Sequence, residues 1–199
     1  GLTDSLFTGV EKHDDKSTAV FGEVTYAPNE QWEITAGLRY FTDDQKQRIE
    51  FDGFFNGGYA LVEGVASGDS FSPKLQAAYH PTEDTMFYGL VAKGFRPGGP
   101  TNLIPTTCDA DLLLLGLSEP KSEYDSDTLW NYEAGVKTSL MNDRLTVNAT
   151  AFFMDWTDLQ NGVRLSCGFG FVGNVGAAES MGAEIEFSAY PSDNLNFSG

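Results

Sequence analysis

Cationic residues are scarce: 12 Lys and Arg stand against 29 Asp and Glu in 199 residues, a net charge of −17. Without a basic face to displace counterions, nucleic acid is excluded as a partner. Cysteine is limited to Cys108 and Cys167, neither in a CxxC pair, so a zinc knuckle is not expected. His13 and His80 are isolated and form no ligand set. The acids lack the spacing of an EF-hand loop, so no metal site is expected. No apolar run approaches the roughly 20 residues of a membrane helix, which rules out helical spanning. The opening GLTDSLFTGVEKHDD has no basic segment followed by an apolar one, so no signal peptide is expected there. No Ser-His-Asp set, nucleophile elbow or catalytic carboxylate pair stands out. The chain therefore reads as a non-enzyme with no catalytic residue and no cofactor.

Strand signals are plentiful. The chain is rich in Gly (22), Phe (15), Tyr (8) and Trp (3). Its organising stretch is Leu129 to Trp156. Trp130, Tyr132, Ala134 and Val136 alternate with Asn131, Glu133, Gly135 and Lys137. After the turn Met141-Asn142-Asp143, Leu145, Val147, Ala149, Ala151 and Phe153 alternate with Thr146, Asn148, Thr150, Phe152 and Met154. Each strand has one apolar face. A length of about ten residues exceeds the usual sandwich strand and fits the roughly 9–11 of a transmembrane strand.

The same unit recurs along the chain. Residues 1–17 read as a loop. Thr18 to Ala27 is a strand, followed by the turn Pro28-Asn29-Glu30-Gln31. Trp32, Ile34, Ala36, Leu38 and Tyr40 then alternate with Glu33, Thr35, Gly37, Arg39 and Phe41. Large aromatics near both ends of that apolar face suit a strand crossing a bilayer, because such rings prefer the two interfaces. Residues 42–70 read as a long polar loop. Phe71 to Tyr79 and Thr85 to Phe95 flank a turn at residues 80–84, with Met86, Tyr88, Leu90 and Ala92 sharing a face. Residues 96–127 form a second long loop, with a short helical turn expected near Leu112 to Leu117. A third spans about residues 158–178. Met181 to Tyr190 and a strand from Leu195 complete about eight strands.

Short turns recur every 50–60 residues or so, each pair of hairpins separated by a long loop. This is the signature of an all-β, antiparallel up-and-down transmembrane barrel. The elaborate loops favour a slice of a larger barrel over a minimal closed one. Free sheet edges cannot stand in lipid. Membrane lipid is thus the expected surrounding, and the slice alone is not expected to be an autonomous membrane unit. The acids sit mainly between strands, as solubilising loop charge. Cys108 and Cys167 both fall on the long-loop side, an arrangement compatible with a disulfide in an oxidising compartment.

Arg39, Lys93, Asn131, Glu133, Lys137, Glu184 and Glu186 are expected on the lumen face, because charge on the lipid face costs a few kcal/mol. Most are expected to pair across strands; Arg39, Lys93, Asn131, Glu133 and Lys137 are the candidates to meet substrate or another part of the protein. Arg96, in GFRPGG at a strand end, is a further candidate for an anionic ligand, although its glycines and prolines more simply set a tight loop exit.

Phe87-Tyr88-Gly89-Leu90-Val91-Ala92-Lys93-Gly94-Phe95-Arg96-Pro97-Gly98-Gly99 resembles the strand and loop "Y-x-x-x-x-K-G-[FY]-[RK]-x-G-G" of TonB-dependent outer-membrane receptors. Asn131-Tyr132-Glu133-Ala134-Gly135-Val136-Lys137 resembles their "N-Y-E-x-G-x-K" strand, and Asn142-Asp143-Arg144-Leu145 the hairpin after it. Asn174-Val175-Gly176-Ala177-Ala178 with Gly182-Ala183-Glu184-Ile185-Glu186 resembles "N-x-G-x-A-x-x-x-G-x-E-x-E". Ala36-Gly37-Leu38-Arg39-Tyr40 resembles "x-G-[LI]-R-Y". The matches run in family order over about residues 18–199.

The resemblance implies active import across a bacterial outer membrane by a barrel of about 22 strands with a plugged lumen. On that expectation residues 1–199 are a partial barrel domain, without the plug domain, the TonB-contacting N-terminal segment and the C-terminal strands. Partners would be outer-membrane lipid, the plug of the same parent chain, the TonB complex and a small-molecule ligand, with a ferric siderophore the commonest class. The acidic loops sit uneasily with a strongly anionic chelate. A passive porin or structural barrel, and a soluble β-sandwich binding module, remain open at this stage.

Overall fold

A computed structural model describes residues 6, 8–54, 58–102, 104, 106–118, 121–192 and 194–199. Eight strands form one antiparallel sheet. They are β1 (Thr8–Asn29), β2 (Trp32–Asp52), β3 (Ala60–Thr82), β4 (Thr85–Arg96), β7 (Asp127–Leu140), β8 (Leu145–Thr157), β11 (Ala177–Ser192) and β12 (Leu195–Ser198), in that spatial order. Between β4 and β7 lie β5 (Gly99–Pro100), helix α1 (Asp109–Leu114) and β6 (Glu123–Tyr124). Between β8 and β11 lies the hairpin β9 (Gln160–Arg164) and β10 (Gly170–Asn174). No helix among the described residues is long and apolar enough to cross a membrane.

The register shows how the sequence pattern makes a barrel wall. One row across seven strands reads Val24, Ala36, Leu75, Val91, Tyr132, Phe153 and Met181, every member apolar. The adjacent row, on the opposite face, reads Glu23, Gly37, Lys74, Ala92, Asn131, Met154 and Ser180. Val24 and Met181 stay 71% and 72% exposed, as side chains that face lipid must in a sheet taken alone. The Trp32 and Tyr79 rings pack 4.8 Å apart at the short-turn end of that face, an interfacial aromatic pair. The β7–β8 turn is tight because Met141, Asn142 and Asp143 all adopt left-handed backbone (φ 59°, 56° and 63°).

Three expectations are corrected. Residues 8–17 are strand and not loop, pairing with residues 43–52. Residues 42–70 are not a long loop: β2 and β3 stay paired from Trp32↔Tyr79 out to Phe51↔Ala60. Beyond the bilayer the outward face meets water and the lumen-side face of β2 is covered by a polar loop, so the apolar alternation that betrays a strand disappears while the backbone ladder continues. Finally, β4 presents the reverse face. Met86, Tyr88, Leu90 and Ala92 lie opposite Lys137, Gly135, Glu133 and Asn131 on the lumen side, while Lys93 lies opposite Trp130 on the apolar face. Both faces of β4 are apolar through its middle, so alternation could not choose between them; the polar face of β7 does. Lys93 sits near the outer end of β4, where its long stem can cover apolar surface while the ammonium reaches water.

Candidate functional site

The lumen face is built from large side chains laid over glycines. Tyr88 lies opposite Gly135, where a Cβ would stand 2.6 Å from the Tyr88 ring and 2.7 Å from the Ala149 carbonyl oxygen. Phe152 covers Gly182 in the same way, at 2.8 Å. The Tyr88 hydroxyl bonds Thr150 Oγ1 (2.8 Å), and the Lys137 ammonium stands 5.7 Å from the Tyr88 ring centroid. Lys74 donates to Glu23 across Gly37 (3.0 Å). Asn131 Nδ2 donates to Glu133 (2.7 Å), while the buried Asn131 Oδ1 has no partner in the described structure. The Arg39 guanidinium lies 5.5 Å from the centroid of Phe41. The structure thus places Arg39, Asn131, Glu133 and Lys137 on the expected face and removes Lys93 from it.

Arg96 has a different setting. Its backbone N–H and Nε donate to Asp127 (3.2 Å to Oδ1, 2.9 Å from Nε to Oδ2), and its Nη2 makes a further short bond to Oδ2. Nη2 also reaches the Gln160 carbonyl (3.1 Å), and the guanidinium stacks 4.7 Å over Trp156. Asp127 is 1% exposed and accepts the Gln160 backbone N–H as well (3.1 Å). Gln160 Nε2 returns bonds to the Pro97 (2.8 Å) and Asp125 (3.0 Å) carbonyls. This is the loop-exit reading of GFRPGG: the fork geometry of Arg suits a two-oxygen clamp, and the clamp ties the ends of β4, β7 and β8 together. Gly98 is obligatory there, since a Cβ would stand 2.3 Å from the Tyr124 carbonyl oxygen.

Above the clamp the second and third outer connections form one layer. Cys108 and Cys167 are joined by a disulfide, with Cα atoms 5.4 Å apart. Around it Ile104, Leu112 and Leu165 make a small buried core, flanked by Leu117, Val163 and Phe171. Helix α1 begins three residues earlier than the sequence suggested and ends at Leu114. Asp111 on that helix accepts from Ser166 Oγ (2.7 Å) and the Cys167 N–H (2.8 Å), and these two bonds hold its carboxyl below the usual carboxylate range. The layer folds inward. Gln45 and Gln47, on the lumen-side face of extended β2, donate to the Gly98 carbonyl (2.8 Å) and to Asn102 (3.2 Å).

Sequence reading missed Asp127, Gln160 and Asp111 as determinants. The one available signal was that Asp127 opens a strand whose partner ends in Arg96.

A family model described as "TonB dependent receptor-like, beta-barrel" matches residues 3–199. The pesticin receptor of Yersinia pestis is 25% identical over 174 residues, covering 86% of this chain and 23% of the relative. The metal-pseudopaline receptor CntO of Pseudomonas aeruginosa is 22% identical over 171 residues, covering 86% and 21%. The chain therefore spans about a quarter of the length of these curated relatives. The crystal structure of the ferric yersiniabactin uptake receptor FyuA from Yersinia pestis superposes with a TM-score of 0.76 at 19% identity, covering 97% of this chain and 27% of that one. The siderophore receptor PiuA from Acinetobacter baumannii gives 0.68 at 17% identity, covering 94% and 25%. Taken with the continuous apolar row, the polar lumen face and the outer loop layer, these matches settle the class: the chain belongs to the TonB-dependent receptor β-barrel family, and its strands are those of a bacterial outer-membrane receptor.

Proposed function

We propose that this chain is part of a larger plugged barrel, and that the whole protein imports a scarce, bulky nutrient with energy delivered through TonB. The observation that carries this reading is the inward-folded loop layer, in which residues 98–102 pack on the lumen-side face of β2. A passive pore is served by an open mouth; a receptor is served by a structured one. Relatives named for ferric yersiniabactin and metal-pseudopaline make a metal chelate the favoured cargo class. Arg39, Asn131, Glu133 and Lys137 face plug or substrate in this scheme, and the open acceptor Asn131 Oδ1 receives a donor from one of them. Arg96 serves as a structural clamp.

The test uses the full-length protein in cells lacking other receptors of the kind. Accumulation of radioactive iron supplied as a panel of ferric siderophores should depend on both this protein and TonB. Permeation of small sugars that persists without TonB would instead establish a porin.

A further inference from the structure

We propose that a cavity at the outer rim of the lumen, between β2, β4 and residues 123–126, binds an organic ammonium group, with Asp43 as its counter-charge and Phe41 and Phe95 as its ring walls. The cavity measures about 180 Å³. An apolar cavity of about 150 Å³ holds a benzene-sized group. Asp43 lines it and is 9% exposed. Among the described residues its carboxylate accepts one hydrogen bond, from Gln45 Nε2 to Oδ2, and no cation lies within ion-pair distance. The same Gln45 amide donates to the Gly98 carbonyl (2.8 Å), which fixes the carboxyl against the loop exit. A buried carboxylate is ordinarily paired or bound to a cation, because its desolvation is otherwise uncompensated.

The rest of the wall says which cation. The Phe41 and Phe95 rings lie 5.2 Å apart, tilted by 54°, and Phe41 already takes the Arg39 guanidinium at 5.5 Å from its centroid. Asp69, Glu123 and Asp125 extend the negative lining, and no Lys, Arg or His lines it. A hard divalent ion needs six or more oxygen ligands gathered around it, and among the described residues no three acidic side chains are grouped closely enough to hold a metal ion. An ammonium on a short apolar stem uses both the carboxylate and the ring faces. The site requires only that the full-length protein fold, so its failure leaves the import reading untouched.

The test is ligand-observed saturation-transfer NMR on the full-length protein in a non-ionic detergent, with benzylammonium, benzyl alcohol and benzoate as probes and calcium chloride as competitor. Benzylammonium should bind at least tenfold more tightly than benzyl alcohol, and benzoate should not bind. Asp43→Asn should erase the preference for the cation. Phe95→Leu, which keeps the carboxylate, should weaken benzylammonium several-fold. Heat-modifiable migration on gels confirms barrel assembly of each variant, and the three-probe comparison on the unmodified protein stands even where a variant fails to assemble. Equal binding of amine and alcohol, or a preference that survives Asp43→Asn, would overturn the proposal. Displacement of benzylammonium by equimolar calcium would overturn it in favour of a divalent-ion site.

Discussion

Removing the Cys108–Cys167 bond should loosen the outer layer while leaving the barrel wall unchanged. The two cysteines are 59 residues apart, and in a fully unfolded chain the loop-entropy model assigns a cross-link of that span ~4 kcal/mol. That figure overstates the effect here. The intervening strands β7 and β8 remain paired when the layer opens, as their ladder from Thr128↔Thr157 to Leu140↔Leu145 is independent of it. The chain freed by opening is then roughly twenty residues, counted from Cys108 back to the end of β4 and from Cys167 back to the end of β8, which gives ~3 kcal/mol. That corresponds to on the order of a hundredfold in the opening equilibrium. Double replacement, Cys108→Ala with Cys167→Ala, keeps the site apolar around Leu112 and Leu165. Hydrogen exchange by mass spectrometry on the full-length protein reads the opening directly. Peptides covering residues 106–118 and 160–174 should exchange on the order of a hundredfold faster, and peptides from β7 and β8 should not change. Unchanged exchange in the loop peptides would refute the reasoning, showing that the small apolar core alone holds the layer shut.

Four further outcomes are expected. Asp127→Ala removes the buried acceptor of Arg96 and of the Gln160 N–H, and, with the Arg96 side chain itself half exposed, should cost about 1–3 kcal/mol locally, seen as lost exchange protection at Gln160 and the start of β7; Arg96→Lys on the unmodified background should lose much of the same protection, since one ammonium cannot copy the two-oxygen clamp. Gly182→Ala drives a Cβ into Phe152 and should cost about 1–3 kcal/mol; adding Phe152→Ala should restore the yield of heat-modifiable barrel. For the reversed face of β4, Val91→Cys should react with a lipid-soluble maleimide and Leu90→Cys with a water-soluble one, and the opposite labelling pattern would contradict the register. The Asp111 carboxyl titrates below its ordinary value when folded, so its contribution is fully present above the usual carboxylate range and is lost as pH falls through the lowered folded value; exchange protection of the Cys167 amide, followed downward from pH 6, should decline only at strongly acid pH.

Much of the wall was legible because lipid and lumen impose opposite chemistry on alternate residues. In β2, β7 and β11 one face is largely apolar and the other carries Arg39, Glu133, Lys137 or Glu184, so period two identifies both the strand and its orientation. β4 defeats that logic, since Tyr88, Leu90 and Ala92 on the lumen side are as apolar as Phe87 and Val91 facing lipid. Only pairing partners decide, and register is not written in one strand. The outer parts of β1, β2 and β3 were illegible for a related reason: with no lipid on either face, Asp14, Lys16, Asp44, Lys46 and Gly68 carry no alternation. The Arg96–Asp127 clamp joins residues 31 apart, and until the ladder is known Asp127 is one acid among many. The two cysteines, by contrast, could be placed on one side by counting turns.

The long β2–β3 hairpin changes how motion at the receptor's mouth can occur. From Tyr40↔Phe71 to Phe51↔Ala60 its ladder is unbroken, a reach on the order of 35 Å beyond the outer aromatic ring at ordinary strand rise. A segment so paired is a cantilever: it bends as one body about its root and does not fold over at midspan. About midway along it Gln45 and Gln47 grip the inward loop at Gly98 and Asn102. A small tilt imposed there is multiplied along the arm, so a ligand pressing on the rim would be reported as a sweep of the distant tip.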